Sequence, residues 1–443
     1  QSNEKIKINT KDIKKNDIFV ALQGSKTHGN QYIDLAIKLG AKYCITDKKF
    51  NSKKNKDKIL VVEDCILFLE KLSKKKRAIY NGKVIGITGS AGKTTLKENL
   101  KYYLKKKFKV SASIKSFNNR LGVILSILNL NIKSNYSIFE IGTNNIGEIK
   151  QLTALIKPSQ MFITNIMSTH LENFKSKKNI AKEKADIFNK KFNNKSNILY
   201  FKNTSKEENF ICQLAKKQNL KKIVTIGNLK SNCFIEKIEK NNSDYYLKLI
   251  VLGKKFLIKL DQFEDHRVLN LLFILSFFIV NKIDTKYIIN SRKKFILVDG
   301  RGSKHNLNLN GYKVKLIDES YNASPETVIQ SIKNFSKIKK NIYSVVILGN
   351  MNELGLQTNK LHIEVINELE KHSFNMIILC GNFYKISLKK LSNLKNQYIY
   401  KNNNLEIMNY LSNHLHKNAI MLIKCSNKTE VNIFSKKLKQ KKE

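Results

Sequence analysis

Between Gly86 and Thr95 the chain reads G-I-T-G-S-A-G-K-T-T. The run entering it, V-I-G-I-T (Val84 to Thr88), has the β-branched density of a short strand. After it, Leu96, Leu100 and Leu104 fall at i, i+4 and i+8, the apolar face of a helix. A glycine-rich turn between strand and helix is an anion cradle. Gly89 and Gly92 let the backbone approach closely, and backbone N–H groups at the helix N-terminus face the phosphates. In that setting Lys93 reaches the β- and γ-phosphates and the Thr94 hydroxyl ligates Mg2+. Gly86 stands one position before the usual first glycine, which is Ile87 here. A glycine-rich turn with an incidental lysine is the plain alternative, and Thr94 and the flanking elements argue against it. The loop predicts nucleoside triphosphate binding and leaves the reaction open.

Three further residues bear on that reaction. Glu140 lies near the end of an apolar strand, Ser137 to Ile141, and an ionised carboxylate there is costly unless it pairs with a cation or binds a metal. Ligands of open α/β sheets collect at strand C-termini, so both readings stand, a metal ligand or a lysine partner. His170 follows another strand, in I-T-N-I-M-S-T-H-L-E (Ile163 to Glu172), and is a candidate ligand against the ordinary structural histidine. In K-N-I-A-K-E-K-A-D-I-F (Lys178 to Phe188), Ile180, Lys184 and Ile187 share one helix face, while Lys177, Lys178 and Lys182 can point away. Lys184 is thus the inward lysine. Desolvation makes an amine nucleophilic, and reaction with CO2 would convert it to an anionic carbamate able to support Mg2+; snorkelling to solvent is the alternative.

The elements that must position these groups form an α/β pattern in three parts. Residues 1–80 read as a small unit with strands at Asp17 to Leu22 and Lys42 to Thr46, and helices at 31–40 and 66–79. Residues 81–296 continue with strands at Ser137 to Ile141, Met161 to Ile166, Ile198 to Phe201 and Lys222 to Ile226. A hairpin is expected near 235–260 and a buried helix over 268–280. Such alternation predicts a mostly parallel sheet covered on both faces. From 297 to 443 a third unit has strands at Lys313 to Ile317, Tyr343 to Leu348, Met376 to Leu379 and Ala419 to Ile423.

With 443 residues and 42% hydrophobic content the chain is long enough for two or three cores. The formal charge of +47 invites a nucleic-acid or membrane partner. The lysines, however, are spread along the chain, with short clusters at 52–58, 71–77, 101–109 and 436–443, and none is interleaved with aromatics as a base-stacking platform. Excess Lys, Asn and Ile, with 2 Pro and no Trp, fits compositional drift toward A and T, so neither a nucleic-acid partner nor stable membrane insertion is expected. The charge still favours anionic small molecules. The six cysteines, Cys44, Cys65, Cys212, Cys233, Cys380 and Cys425, form no C-x-x-C pair and read as cytoplasmic thiols. The polar first residues lack an apolar signal core, and the 268–280 stretch is short for a membrane span.

Together these segments resemble the Mur ligase family over nearly the whole chain: G-[IV]-T-G-x-x-G-K-T-T, E-x-G-T-N-x-x-G-E-I, I-T-N-I-x-x-x-H-L-E and A-K-x-K-x-x-I-F. The resemblance implies a three-domain α/β architecture: a UDP-substrate domain (1–80), a central P-loop ATPase with a parallel sheet (81–296) and a Rossmann-like C-terminal domain for the amino acid or dipeptide (297–443). It implies a reaction in which ATP activates a carboxylate as an acyl phosphate and an amine displaces phosphate. Gly89, Ser90, Ala91, Gly92, Lys93, Thr94 and Thr95 would hold the nucleotide. Thr94 would bind one Mg2+, and Glu140, His170 and a carbamylated Lys184 would support a second. S-F-N-N-R-L-G-V (Ser116 to Val123) adds Asn118 and Asn119; D-H-R-V-L-N (Asp265 to Asn270) keeps one of two adenine-contacting asparagines, Asn270, with Arg267 at the other.

The third unit carries the subtype signal. G-R-G-S (Gly300 to Ser303), I-D-E-S-Y-N-A-S-P-E (Ile317 to Glu326) and V-I-L-G-N-M-N-E-L-G (Val346 to Gly355) resemble the branch that adds D-alanyl-D-alanine to a UDP-N-acetylmuramoyl-tripeptide. There Arg301 would contact the γ-phosphate, Asp318 or Glu319 the ribose, and Asn322 the phosphate and metal site. Thr143 and Asn144 would face substrate. In the first unit F-V-A-L-Q-G (Phe19 to Gly24) and T-H-G (Thr27 to Gly29) match, implying Gly24, Thr27, His28 and Gly29, with Thr10 and Lys11 of N-T-K where D-S-R is usual. Glu319 and Asn350 each replace an Asp, and K-C-S-N (Lys424 to Asn427) replaces K-G-S-R, keeping Lys424. A monomer is expected. A folylpolyglutamate-type ligase, a basic P-loop ATPase acting on nucleic acid and a non-catalytic binding protein are the competing readings. The first 80 residues, the lack of a helicase-type acidic motif and the joint presence of Lys93, Thr94, Glu140, His170 and Lys184 speak against them in turn. The third residue of the tripeptide, diaminopimelate or lysine, stays open.

Overall fold

The computed structural model describes residues 4–440 apart from 25–26, 49, 51–54, 115, 190, 193–196, 219, 242–243, 262, 292–294 and 340, so parts of the 52–58 and 436–443 lysine runs lie outside the described residues. Three sheets follow one another along the chain. The first holds β1 (Ile6–Lys7), β2 (Ile18–Ala21), β3 (Tyr43–Thr46) and β4 (Ile59–Val61), parallel and in that order. Helices Ile33–Lys38 and Cys65–Ala78 flank it.

The second sheet has nine strands: β5 (Lys83–Thr88), β6 (Val110–Ala112), β7 (Tyr136–Glu140), β8 (Gln160–Ile163), β9 (Ile198–Asn203), β10 (Lys222–Gly227), β11 (Cys233–Asn241), β12 (Asp244–Val251) and β13 (Lys254–Leu260). Their order is β13-β12-β11-β10-β9-β8-β5-β7-β6. Neighbours are parallel from β6 through β11, and β11, β12 and β13 form an antiparallel meander. The region expected as one hairpin is therefore two. Leu252 and Gly253, both at positive φ, make the second turn, and Leu247, Leu249 and Val251 alternate inward against the long apolar helix.

Two layers of helices cover this sheet. On one face, Leu96, Leu100, Tyr103 and Leu104 of helix Lys93–Leu104 pack with Val268, Leu271, Phe273 and Phe277 of helix Asp265–Val280. Helix 265–280 is apolar around nearly its whole girth because it is buried around that girth. Each fully buried Leu or Phe there contributes about 1.5–3 kcal/mol. The other face carries helices Arg120–Leu128, Glu148–Ile156 and Lys177–Ala185.

The third sheet comprises β14 (Ser303–Leu309), β15 (Tyr312–Glu319), β16 (Tyr343–Gly349), β17 (Met376–Cys380), β18 (Tyr398–Lys401) and β19 (Ala419–Lys424). The order is β14-β15-β19-β16-β17-β18, parallel except for the β14–β15 pair. The polar edge strand β14, S-K-H-N-L-N-L, carries too little apolar alternation to read as a strand, and its pairing to β15 makes it one. What matters for the site is the order in the middle of the second sheet: β5 lies between β7 and β8, so three loops leave neighbouring strand ends together.

Candidate active site at three adjacent strand ends

The loop after β5 is locked onto the loop after β8. Ser90 N–H donates to Asn165 O at 3.0 Å, Ala91 N–H to Asn165 Oδ1 at 2.9 Å, and Thr164 Oγ1 to Ala91 O at 2.6 Å. Two glycines make this approach possible. Gly89 adopts φ +141, and a Cβ on it would lie 1.9 Å from Thr164 Oγ1; Gly92 adopts φ +81 at the helix N-cap. Lys93 lies back across the loop, its Nζ donating to Gly89 O at 2.7 Å and Ser90 O at 3.3 Å. The residue as a whole is partly exposed while its ammonium is enclosed. Burial lowers that ammonium to about 8, with Glu140 opposing and the Arg301 charge adding to the shift.

Glu140, the last residue of β7, has no exposed surface. Thr94 Oγ1 donates to its Oε2 at 2.7 Å, Asn118 Nδ2 donates to Oε1 at 2.9 Å, and Lys97 Nζ stands 3.9 Å from Oε2. Lys97 is itself fully buried and also donates to Ser113 O at 2.8 Å. The carboxylate thus meets a lysine, and it shares a hydroxyl with the phosphate loop. Thr94 and Glu140 form a set of hard oxygen donors, the kind Mg2+ takes, at the mouth of an anion cradle. Asn118 belongs to this group, whereas Asn119 turns its Oδ1 to Gly122 N at 2.9 Å and caps the 120–128 helix.

Lys184 is 3% exposed, on the inward face with Ile180. Burial lowers its ammonium to about 7; the Lys93 charge pushes the same way and Glu183 partly opposes. Lys184 therefore stands within electrostatic reach of the phosphate-loop lysine. Thr143 is buried and Asn144 exposed in the segment leaving β7, and Thr143 Oγ1 donates to Asn145 O at 2.7 Å.

The third unit reaches into the same region. Arg301 stacks its guanidinium 4.1 Å from the Tyr321 ring centroid, and the Tyr321 hydroxyl meets Ser116 of the second unit. His170, at φ 54, directs Nδ1 to the Glu353 carboxylate of the third unit, and Glu326 accepts Ser168 N–H at 3.0 Å and Ser168 Oγ–H at 2.6 Å. Lys177 adds an ion pair to Glu326 at 2.8 Å.

Of the two acidic candidates on β15, Asp318 is fully buried. It accepts from Ser435 Oγ at 3.0 Å and pairs with Lys439 at 2.6 Å. Glu319 is partly exposed and pairs with Lys424 at 2.8 Å. Burial would raise the Glu319 carboxyl, but Lys424, Ser331 and the nearby His266 hold it below the usual range. Since His266 opens the helix that carries buried Asn270, Glu319 faces that helix start, and Arg267 lies toward Gly302. Asn322 is exposed beside them in sequence, its Oδ1 accepting Ala323 N–H at 2.9 Å.

The first-unit residues gather on the first sheet's loops. His28 is buried, with Nε2 2.8 Å from Asp47 Oδ1 and Nδ1 accepting Asn30 N–H at 3.1 Å, which makes it a loop anchor. Gly29 packs where a Cβ would come 2.9 Å from Ala21 Cα, and Gly24 where one would come 2.9 Å from Thr27 O. Thr27 and Lys11 are exposed and Thr10 partly so, opening a short 3-10 turn capped by Asn9.

Reasoning from sequence alone passed over Lys97, Glu183, Glu326 and Glu353. Lys97 carried a readable signal: it follows Lys93 by one helical turn, beside buried Leu96 and Leu100. The other three show themselves only through distant partners.

Residues 87–277 match the description "Mur ligase middle domain" and residues 4–102 match "Mur ligase family, catalytic domain". The chain is 30% identical, over 95% of its length and 92% of the relative's, to a UDP-N-acetylmuramoyl-tripeptide--D-alanyl-D-alanine ligase of Rickettsia prowazekii. Its fold superposes on MurF of Acinetobacter baumannii with a TM-score of 0.82 at 22% identity, covering 99% of this chain and 93% of that one. For MurF ligase of Thermotoga maritima in complex with ADP the TM-score is 0.78 at 24% identity, covering 99% of both chains. With the family's motifs standing at one phosphate-binding loop, and a relative matched nearly end to end, the chain belongs to the Mur ligase family and within it to the MurF type.

Proposed function

We propose that this chain is an ATP-dependent ligase that joins D-alanyl-D-alanine to UDP-N-acetylmuramoyl-tripeptide during synthesis of a peptidoglycan precursor. The observation that carries this is the convergence of three basic side chains on the loop after β5: the Lys93 charge acts on Lys184, and the Arg301 charge of the third unit acts on Lys93. A polyanion relieves such repulsion, and a glycine-rich loop at a helix N-terminus suits phosphates. The first unit is assigned to the UDP substrate, the second to ATP and the third to the dipeptide.

In this reading Lys93 and the backbone N–H groups of residues 89–95 hold the β- and γ-phosphates, and Arg301 approaches the γ-phosphate from the third unit. Thr94 would hold one Mg2+, and Glu140, His170 and Lys184 as its carbamate would support a second. When bound, the ions spread the charge that builds on the transferring phosphoryl group. Once the Lys184 ammonium has given its proton to solvent, the neutral amine would add CO2 and release a second proton as a carbamate, so that an anion would replace the charge that repels Lys93. The tripeptide carboxylate attacks the γ-phosphorus, leaving ADP and an acyl phosphate. The dipeptide amine then attacks the acyl carbon, loses a proton, and phosphate departs. Glu319, facing the start of the 265–280 helix, is the ribose contact, and Asp318 is its structural neighbour.

The test is product formation from ATP, UDP-muramoyl tripeptide and D-alanyl-D-alanine, with phosphate release dependent on both acceptors. Lys184→Ala is expected to abolish turnover, and a short carboxylic acid to restore part of it. Full turnover in Lys184→Ala would remove the carbamate from the scheme. ATP hydrolysis stimulated by nucleic acid instead of by the tripeptide would remove the ligase itself.

A further inference from the structure

Glu183 precedes Lys184 on the 177–185 helix and is 3% exposed. Its carboxylate accepts Gly147 N–H at 2.7 Å and Ile149 N–H at 2.8 Å, and Thr143 Oγ1 lies 3.2 Å away. Both N–H donors and Thr143 belong to one segment, G-T-N-N-I-G-E-I, that leaves β7 just after Glu140. Gly147 and Ile149 open the Glu148–Ile156 helix, so the carboxylate of one helix closes the positive end of another. A buried carboxylate is costly, and these contacts offset that cost only while the helix and the segment keep their spacing.

The rest of the segment is fixed from its other side. Glu148 Oε2 accepts Asn144 N–H at 2.7 Å and Asn145 N–H at 3.2 Å, and Asn173 Nδ2 donates to Asn144 O at 2.8 Å. Glu148 acts within its own segment. Glu183 is the group that ties the segment to the helix carrying the inward lysine.

We propose that Glu183 is a positioning residue for the ligase reaction: it fixes the Lys184 helix against the segment bearing Thr143 and Asn144, so that the inward lysine, the Glu140 strand end and the substrate-facing segment hold one spacing. This rests on the role given to Lys184 and to that segment under the proposed function. A helix cap alone would stabilise the fold and leave kinetics unchanged; a positioning role alters substrate use.

The experiment compares the full chain with Glu183→Gln and Glu183→Asp. Gln keeps the volume and turns an NH2 group toward one of two backbone N–H groups; Asp keeps the charge on a shorter stem. In Glu183→Gln the KM for UDP-muramoyl tripeptide is expected to rise about tenfold and the bicarbonate concentration giving half-maximal rate to rise in parallel, while the KM for ATP stays within about twofold. Glu183→Asp recovers part of the loss. Amide hydrogen exchange over residues 142–150 is expected to quicken in Glu183→Gln. A folded Gln or Asp variant that melts lower yet keeps tripeptide KM and bicarbonate requirement within about twofold of the parent overturns the proposal in favour of a plain cap. If the parent chain makes no product, the proposed function fails and the positioning role with it, whereas a parent that makes product with an unchanged exchange rate over 142–150 in Glu183→Gln overturns the tie alone.

Discussion

At Lys184 two effects act in the same direction. Burial removes the hydration of an ammonium, and the Lys93 charge repels it, so the group is lowered from 10.5 to about 7. Between those values the unfolded chain binds a proton that the folded chain lacks, so this residue's contribution to stability rises with pH across that window. Lys184→Met removes the cost and keeps the packing. In buffer depleted of CO2 and nucleotide it is expected to stabilise the chain by about 2–4 kcal/mol at neutral pH, with the gain shrinking toward pH 10, while ligase turnover is lost. Urea unfolding at several pH values measures this; a destabilised Met variant would show that the lysine is already neutralised by a partner.

Among the elements, the loop between β16 and the Thr358–Leu369 helix is held by His362. The ring has no exposed surface. Its Nε2 accepts Met351 N–H at 3.2 Å, and Nδ1 lies 2.7 Å from Thr358 O, so the tautomer carries its proton on Nδ1. Burial lowers this imidazole from 6.5 to about 4, with the Thr358 carbonyl opposing. The stabilisation is therefore present above about pH 6.5 and lost as pH falls toward 4, up to roughly 3 kcal/mol. His362→Gln is expected to lower stability at pH 7 and to flatten its pH dependence between 4 and 6.5, read by chemical unfolding. An unchanged slope would assign the acid sensitivity elsewhere. The loop so held carries Glu353, the partner of His170, so acid is expected to loosen that contact as well.

Across the whole molecule, the second and third units meet through acidic groups on the loops around the site. Glu326 joins Ser168 and Lys177, Glu353 joins His170, and Gly355 packs so close that a Cβ would lie 3.0 Å from Glu172 Cα. Arg301 approaches Lys93 from the third unit. The Glu326–Lys177 and Glu353–His170 contacts are partly exposed and ionic, so salt screens them. The combined variant Glu326→Gln, Glu353→Gln is expected to enlarge the radius of gyration without nucleotide and, on the proposed role of Arg301 as a phosphate contact brought in by closure, to raise the KM for ATP. Scattering profiles identical to the parent's, with and without ATP, would show that other contacts hold the units together.

Sequence alone determined what local physics sets. The phosphate loop was legible because glycine, lysine and threonine must follow one another between a strand and a helix. The inward face of Lys184 was legible because Ile180 and Ile187 share its periodicity. The strands at 84–88, 198–201, 222–226 and 343–348 were legible as short apolar runs rich in β-branched or aromatic residues, whereas the polar edge β14 became a strand only by pairing. Tertiary structure alone decided which of two adjacent acids, Asp318 or Glu319, turns to the core, since Ser435 and Lys439 lie over 100 residues away in the chain. It also decided that Glu183 serves a different helix and that Glu326 and Glu353 serve a different unit. A side chain's periodicity reports which face it occupies; what stands opposite that face depends on how the strands are ordered, and strand order is fixed by packing among segments that are remote in sequence.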